Sequence, residues 1–155
     1  MNAIILAAGY GKRLKPLTNK IPKCLVKIRG RVLLNIWLEK LSIIGVDKVL
    51  INTHYLADQV EDFIKTSKFQ KKVEIVYEKE LLGTAGTLNA NINFFENKDG
   101  ILLHADNYCV DDLTSLLQAH KYRPKECLDK LWKESGCTDG RYHGLFGVYY
   151  GIVKG

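Results

Sequence analysis

Residues 3–13 read Ala-Ile-Ile-Leu-Ala-Ala-Gly-Tyr-Gly-Lys-Arg, and this stretch decides the fold. Its apolar start is typical of a buried strand, and it passes directly into a loop with two glycines and several cations. Glycine lets the backbone approach a ligand closely, and successive N–H groups in such a turn form an anion-binding concavity. Because Lys12 and Arg13 in the loop and Lys23 after it add positive charge, we predict a phosphate-binding site at the carboxyl end of the first strand.

The rest of the chain alternates between strand and helix patterns. Strands are predicted over residues 2–7, 49–52, 73–77 and 101–104, and helices over residues 32–44, 56–65, 83–93 and 111–122. This order is typical of an α/β fold, here a three-layer, mainly parallel Rossmann-like sheet flanked by helices, in which ligands bind beyond the carboxyl ends of the strands. Loops with unusual residues follow three of the strands, at residues 8–23, 78–87 and 104–107, and we expect them to converge on one site.

The composition limits the class of protein. The 155 residues suffice for one domain with a hydrophobic core, and no apolar run approaches the ~20 residues that a membrane-spanning helix needs. Met1 leads directly into the first strand, so we expect no signal peptide. The four cysteines form no Cys-x-x-Cys pair, which disfavours a zinc site or a disulfide framework and predicts reduced thiols in the cytoplasm. The net charge of +6 favours anionic partners, although solvated lysines on helix faces account for most of it.

Two common phosphate-loop patterns do not fit the opening loop. A Walker A loop needs Ser or Thr after its Gly-Lys pair, and here Gly11-Lys12 is followed by Arg13. A dinucleotide fingerprint needs a third glycine where Leu14 stands, and a carboxylate after the second strand, where Asn52 stands instead. A GTPase-like or dehydrogenase function is therefore disfavoured.

Two further loops carry candidate ligands. Asp106, in His-Ala-Asp-Asn after the fourth strand, suits Mg²⁺, which takes one or two carboxylates plus phosphate oxygens. Asp also caps turns routinely, so the residue alone leaves both roles open, and His104 beside it is more often a hydrogen-bonding partner than a ligand. The run from Glu78 to Gly86 could contact a base or ribose, or simply form a tight turn before a helix. Asp111 and Asp112 are explained as helix caps.

Four motifs occur together in this chain. Leu-Ala-Ala-Gly-x-Gly-x-Arg-Leu-x-Pro-Leu-Thr begins at Leu6, and Pro-Lys-Cys-Leu-Val begins at Pro22. Gly-Thr-Ala-Gly follows the third strand, and Ala-Asp-Asn follows the fourth. In order and spacing these motifs resemble the signature of the sugar-1-phosphate nucleotidyltransferases, most of all the mannose-1-phosphate guanylyltransferase branch. The resemblance covers Met1 to about Leu128.

The resemblance implies a reaction and a role for each matching residue. An oxygen of a sugar 1-phosphate would attack the α-phosphorus of a nucleoside triphosphate in line, giving a nucleotide sugar and pyrophosphate, which depends on positioning and charge neutralisation. Arg13 and Lys23 are the implied catalytic residues, and Asp106 would bind the Mg²⁺ cofactor that bridges the two substrates. The implied nucleotide-binding residues are Leu6, Ala7, Ala8, Gly9, Gly11 and Lys12 around the phosphates and Glu78 and Gly83 beside the base.

Several alternatives stay open at this point. Glucose-1-phosphate uridylyltransferases and thymidylyltransferases share these motifs, and a non-catalytic nucleotide- or nucleotide-sugar-binding module would also use them. Nucleic-acid binding is disfavoured, because the cations gather in one glycine loop without interleaved aromatic residues. We expect no membrane partner, and the sequence does not decide whether the chain forms a homo-oligomer.

The resemblance ends near Leu128. Residues 129–150 diverge from the family, and 151–155 resemble it again, which is the pattern that paired frameshifts would produce. We therefore predict a nucleotide-binding domain over 1–128 and a divergent or poorly ordered tail over 129–155, in which 145–153 form a strand and the fold is incomplete at the carboxyl end. The family's second metal-binding aspartate and its sugar-phosphate lysine have no counterpart, so we expect a chain that binds nucleotide but has little or no turnover.

Overall fold

Eight strands and four α-helices make up the described part of the computed structural model, which comprises residues 1–110, 112–121, 144–145 and 148–153. The strands are β1 (Ala3–Leu6), β2 (Lys27–Ile28), β3 (Arg31–Val32), β4 (Val49–Thr53), β5 (Val73–Tyr77), β6 (Gly100–His104), β7 (Gly144–Leu145) and β8 (Val148–Val153). The helices are α1 (Leu33–Ile43), α2 (Ala57–Lys65), α3 (Gly83–Ala90) and α4 (Leu113–Lys121). Six strands form one sheet in the order β5-β4-β1-β6-β8-β7, and β2 and β3 form a separate hairpin.

Strand β1 is apolar throughout because it is paired on both edges and covered on both faces. Ala3 is opposite Val49 on one edge and Ile101 on the other. Strands β5, β4, β1 and β6 all run parallel, and continuous apolar runs are typical of parallel strands buried on both faces. Since the carboxyl ends of parallel strands lie at one edge of the sheet, the loops that follow these four strands come together there.

The two faces of the sheet carry separate hydrophobic clusters. On one face, α1, α2 and α4 contribute apolar side chains, among them the fully buried Trp37. On the other face, Leu88 of α3 and Phe95 pack against Ile4 of β1. The Phe95 ring lies over Gly100, where a Cβ would be only 2.0 Å from the ring Cδ1. The ring therefore fills the place that a side chain at Gly100 would need.

The predicted fold class is confirmed, and some element ends differ from the prediction. Strand β1 ends at Leu6 rather than Ala7, because the N–H of Ala7 donates to the side-chain oxygen of Asn52 (2.7 Å). The helix predicted over 83–93 ends at Ala90 and is followed by a 3₁₀ turn over Ile92–Phe95. The β2–β3 hairpin was not predicted.

The fourth helix has the cap that the sequence predicts. Asp112 Oδ1 accepts the backbone N–H of Thr114 (2.9 Å), and this bond lowers the pKa of the Asp112 carboxyl. The other predicted cap, Asp111, lies outside the described residues, as does Tyr122 at the predicted end of the helix.

The carboxyl-terminal segment contributes two antiparallel strands, β8 and β7, to the sheet. β8 pairs with β6, with Tyr150 opposite Leu103, and it falls within the strand predicted over 145–153. The rest of the predicted tail, over 129–143, 146–147 and 154–155, lies outside the described residues. The domain division and the frameshift hypothesis therefore stay predictions. Within the described ranges, no helix is long and apolar enough to cross a membrane.

Candidate functional site

A cleft of about 340 Å³ opens at the carboxyl ends of β1, β4, β5 and β6. Its walls come from the three loops that the sequence predicts to converge, and its volume is in the range of small-molecule sites. All of the residues predicted to bind nucleotide, phosphate or metal line it, namely Leu6, Ala7, Ala8, Gly9, Gly11, Lys12, Arg13, Lys23, Glu78, Gly83 and Asp106.

The backbone of the glycine loop is available to bind an anion. Within the described ranges, the N–H groups of residues 8–12 donate to no protein acceptor. Gly11 holds a left-handed φ of 63°, and a Cβ there would lie 2.9 Å from Cγ2 of Thr18. Thr18 is fully buried and donates its hydroxyl to the carbonyl of Gly11 (2.9 Å). Thr18 therefore holds the loop in this conformation. The unpaired N–H groups form the kind of concavity that binds phosphate.

Two of the predicted cations lie exposed at the mouth of the cleft. Lys12 Nζ is 5.5 Å from the centre of the Tyr10 ring, a cation–π contact. No carboxylate among the described residues is within ion-pair distance of Lys12 or Arg13. Both side chains can therefore turn towards an anionic ligand without breaking a salt bridge.

The third cation crosses the cleft to the loop after β6. Lys23 Nζ lies 2.5 Å from Asp106 Oδ2, and both side chains are partly exposed. This ion pair joins the end of the long first loop to the fourth parallel strand. A ligand that carries both phosphate and a cation can replace this ion pair, because its phosphate would pair with Lys23 and its cation with Asp106.

Two neighbours of this pair have shifted pKa values. Burial lowers the pKa of His104, an effect that the nearby Asp106 carboxylate opposes. Burial also raises the pKa of the Cys24 thiol to about 12. A neutral imidazole and a neutral thiol therefore lie beside the ion pair, so Lys23 and Asp106 carry the charges at this end of the cleft.

The donor set around Asp106 suits a metal that shares its coordination with a substrate. No group of three or more His, Cys, Asp or Glu side chains that could hold a metal occurs among the described residues. Mg²⁺ typically uses one or two carboxylates and completes its shell with water and phosphate oxygens. A single carboxylate in a phosphate-binding cleft fits that pattern, whereas it does not fit a closed structural zinc site.

Glu78 lies at the opposite wall and is only 5% exposed. Its Oε1 accepts Asn52 Nδ2 (3.0 Å) and the hydroxyl of Thr87, and its Oε2 accepts the backbone N–H of Leu82 (3.3 Å). Within the part of the chain that the structure describes, three donors and no cation therefore hold this buried carboxylate. Of about four acceptor sites on a carboxylate, one on Oε2 is left for a ligand.

Asn52, Thr87 and His54 belong to the site region, but no sequence motif assigns any of them a role. Asn52 and Thr87 line the cleft and are nearly inaccessible to solvent. In the sequence, Asn52 stands where a ribose-binding carboxylate is missing, and Thr87 is the last residue of a loop that is expected to reach the site. A polar residue that interrupts the apolar run of a buried strand, as Asn52 does at the end of β4, was the available signal.

His54 connects the glycine loop to the segment that holds Glu78. Its Nδ1 is 2.8 Å from the carbonyl of Glu78, and its Nε2 is 2.9 Å from the Tyr10 hydroxyl. A carbonyl only accepts, so Nδ1 carries the proton, and in the neutral ring Nε2 accepts from Tyr10. This bond attaches Tyr10, between the two loop glycines, to the end of β4.

Known proteins similar to this chain share the same architecture. A family profile described as nucleotidyl transferase matches residues 2–134. The mannose-1-phosphate guanylyltransferase catalytic subunit beta of Xenopus tropicalis is 35% identical over 130 residues, 81% of this chain and 36% of that protein. The corresponding subunit of Drosophila pseudoobscura pseudoobscura is 35% identical over 128 residues, 80% of this chain and 34% of that protein. The chain thus spans about a third of the length of these curated relatives.

A solved structure supports the same assignment. HddC from Yersinia pseudotuberculosis, whose crystal structure was determined in complex with GMP-PN, superimposes with a TM-score of 0.66 at 33% identity. The match covers 76% of this chain and 53% of HddC. The family resemblance read from the sequence motifs is confirmed, and the chain belongs to the nucleotidyl transferase family.

Proposed function

We propose that this chain provides the nucleotide-binding half of a sugar-1-phosphate nucleotidyltransferase, with GTP and mannose 1-phosphate as substrates. The observation that carries the proposal is the gathering of all the predicted ligand-binding residues on one cleft, with the Lys23–Asp106 ion pair spanning it. The mannose-1-phosphate guanylyltransferases among its relatives support the choice of substrates.

The triphosphate would bind along the glycine loop. The unpaired N–H groups of residues 8–12 supply hydrogen bonds, and Lys12 and Arg13 supply charge without breaking a salt bridge among the described residues. Lys23 would leave Asp106 and bind phosphate. Its charge would then neutralise the negative charge that develops on the leaving pyrophosphate.

A guanine base matches the acceptor at Glu78 better than adenine or cytosine does. Guanine presents an N–H and an amino group side by side, whereas adenine and cytosine place a ring-nitrogen acceptor next to their amino groups. Glu78 keeps one acceptor site, so it can accept a hydrogen bond from the guanine edge. It repels the ring-nitrogen acceptor on the edge of adenine or cytosine. Gly83 and Thr84, in the first turn of α3, line the cleft beside it.

Asp106 would hold Mg²⁺ together with phosphate oxygens of the nucleotide. When bound, the metal supplies charge neutralisation on the phosphates of both substrates. The residues of this chain supply the rest by orientation: the glycine loop fixes the triphosphate so that a sugar-phosphate oxygen can attack the α-phosphorus. That step forms a new P–O bond as the bond to the β-phosphate breaks, and pyrophosphate leaves.

The test measures binding and turnover separately. Isothermal titration with GTP, UTP, dTTP, CTP and ATP in Mg²⁺ reports the base preference, and pyrophosphate release from GTP plus mannose 1-phosphate reports the reaction. We expect GTP to bind most tightly. Tightest binding of UTP or dTTP would overturn the guanine assignment in favour of the uridylyl- or thymidylyltransferase alternative, and absence of binding by any nucleotide would overturn the proposal.

A non-catalytic nucleotide-binding module is the second candidate. Binding of GTP without pyrophosphate release would support the module, and release would support the enzyme. We also propose a cytoplasmic location, which the reduced thiols of the buried Cys24 and Cys109 support.

A further inference from the structure

We propose that Asn52 is a positioning residue that sets base selectivity by holding the Glu78 carboxylate in one orientation. The inference rests on the proposed function, since it assumes that Glu78 faces the base. It concerns a residue that the sequence motifs did not include and that no proposed ligand contact requires.

The orientation of the Asn52 amide is determined by its partners. Its Oδ1 accepts the N–H of Ala7 (2.7 Å), and an N–H can only donate, so the oxygen must lie on that side. Its Nδ2 then faces Glu78 Oε1 (3.0 Å) and Thr87 Oγ1 (3.2 Å). Both amide protons and the carbonyl are used, and the side chain is 3% exposed.

The three partners belong to three different walls of the cleft. Ala7 begins the glycine loop after β1, Glu78 follows β5, and Thr87 lies in α3. Asn52 thus connects the phosphate-binding wall to the base-binding wall through one buried amide. Because buried polar groups in such a network depend on each other, a shift of one wall is transmitted to the carboxylate.

Thr87 completes the arrangement. Its hydroxyl donates to Glu78 Oε1 while accepting from Asn52 Nδ2, so Asn52, Thr87 and Glu78 form a closed triangle. The triangle occupies both acceptor sites of Oε1 and leaves Oε2 as the atom that can meet a ligand. Without Asn52, the carboxylate could rotate and present either oxygen, and the preference for one base edge would fall.

The test compares two purine nucleotides that differ only at the base edge. We expect wild-type protein to bind GTP at least about tenfold more tightly than ATP, the size of a hydrogen bond to a charged group. In Asn52→Ala the ratio of the two dissociation constants should fall to within about twofold of unity. Inorganic tripolyphosphate, which has no base, should bind the variant and the wild type with similar affinity.

Two further variants separate positioning from a loss of stability. Thr87→Val keeps the shape of the side chain and removes its hydroxyl, and we expect it to lower the same ratio. The double variant should lower the ratio no further, because the residues act as a unit. Asn2→Ala is the matched control: Asn2 is also buried and donates to the Phe94 carbonyl (2.7 Å), but at the far end of β1. It should lower the melting temperature without changing the ratio.

The failures of the two proposals are distinguishable. If wild-type protein binds no nucleotide, the proposed function is wrong. If it binds with a base preference that persists in both Asn52→Ala and Thr87→Val, the Asn52 inference alone is wrong. A preference for another base that is lost in both variants would correct the guanine assignment and support the positioning role.

Discussion

Gly11→Ala tests whether the glycine loop is shaped by contact with Thr18. The alanine would have to adopt the left-handed φ of 63°, and its Cβ would lie 2.9 Å from Thr18 Cγ2. The first effect costs about 1–2 kcal/mol. The second is overpacking against a side chain that is fully buried and hydrogen-bonded, so it cannot rotate away, and it costs about 1–3 kcal/mol. We expect the free energy of unfolding to fall by about 2–5 kcal/mol in total.

Two other glycines isolate the two effects. Gly30 also has a positive φ, 80°, but a Cβ there meets no atom within 4 Å. Gly30→Ala should therefore show only the backbone cost of about 1–2 kcal/mol. Gly9, in the same loop as Gly11, lacks the positive φ and is equally open, so Gly9→Ala should leave stability within about 1 kcal/mol of wild type.

The decisive measurement is a double-mutant cycle with Thr18→Ser. Serine keeps the hydroxyl that donates to Gly11 and removes only the clashing methyl group. Urea unfolding followed by circular dichroism should show a favourable coupling of about 1–3 kcal/mol between Gly11→Ala and Thr18→Ser, with unchanged m-values. If Gly11→Ala costs no more than Gly30→Ala and Thr18→Ser recovers nothing, the packing argument is refuted.

Three further predictions follow from other contacts. Lys23 forms an ion pair with Asp106 and would compete with a metal bound there, so Lys23→Met should bind Mn²⁺ in the absence of nucleotide about fivefold more tightly, from about 1 kcal/mol of ion-pair energy. Electron paramagnetic resonance checks this, with Asp106→Asn as the control that should abolish binding. Burial raises the pKa of the Cys24 thiol from 9.0 to about 12, so above pH ~9 the unfolded chain loses a proton that the folded chain keeps. Stability should therefore fall by up to about 1.4 kcal/mol per pH unit until the folded thiol also ionises, and a Cys24→Ala variant with an equally steep alkaline slope would contradict this. Gly100→Ala should cost about 3 kcal/mol by displacing the Phe95 ring, and adding Phe95→Leu should partly restore the melting temperature; no recovery would contradict this contact.

The cleft could be located from the sequence because most of the residues predicted to bind a ligand lie in short stretches of the chain. The apolar run, the glycines and the cations of residues 3–13 are contiguous, and Asp106 directly follows a strand that the sequence predicts. The parallel order of the strands then brings these loops to one edge of the sheet. Each of these steps uses neighbours in the chain, which a single sequence records.

Asn52 could not be assigned a role in the same way. Its partners lie far away in the chain, and they reach it only because β1 pairs with β4 so that Leu6 is opposite Asn52. The sequence shows a polar residue at a strand end. It does not show the strand register that directs this side chain towards its partners. Glu78 was predicted to lie beside the base, yet the donors that surround it also depend on how α3 packs.

The β2–β3 hairpin was missed for a different reason. Each strand has two residues, too few for an alternating pattern. Its turn residues Arg29 and Gly30 both have positive φ, 49° and 80°, as a type I′ turn requires. The sequence predicts a turn at Arg29-Gly30-Arg31 but not its type, which Asn-Gly or Asp-Gly would have indicated.

The central place of β1 in the sheet also constrains the order in which the chain folds. β1 precedes the other strands of this sheet along the chain, yet its second edge is covered only when β6 arrives, since Ala3 pairs with Ile101. Until then an apolar strand keeps one edge of hydrogen-bonding groups exposed, the arrangement that invites pairing with other chains. Strands β4 and β5 can close the other side earlier. Completing the sheet therefore waits for a contact between distant parts of the chain, which makes this a slow-folding topology that is vulnerable to aggregation while β6 is absent.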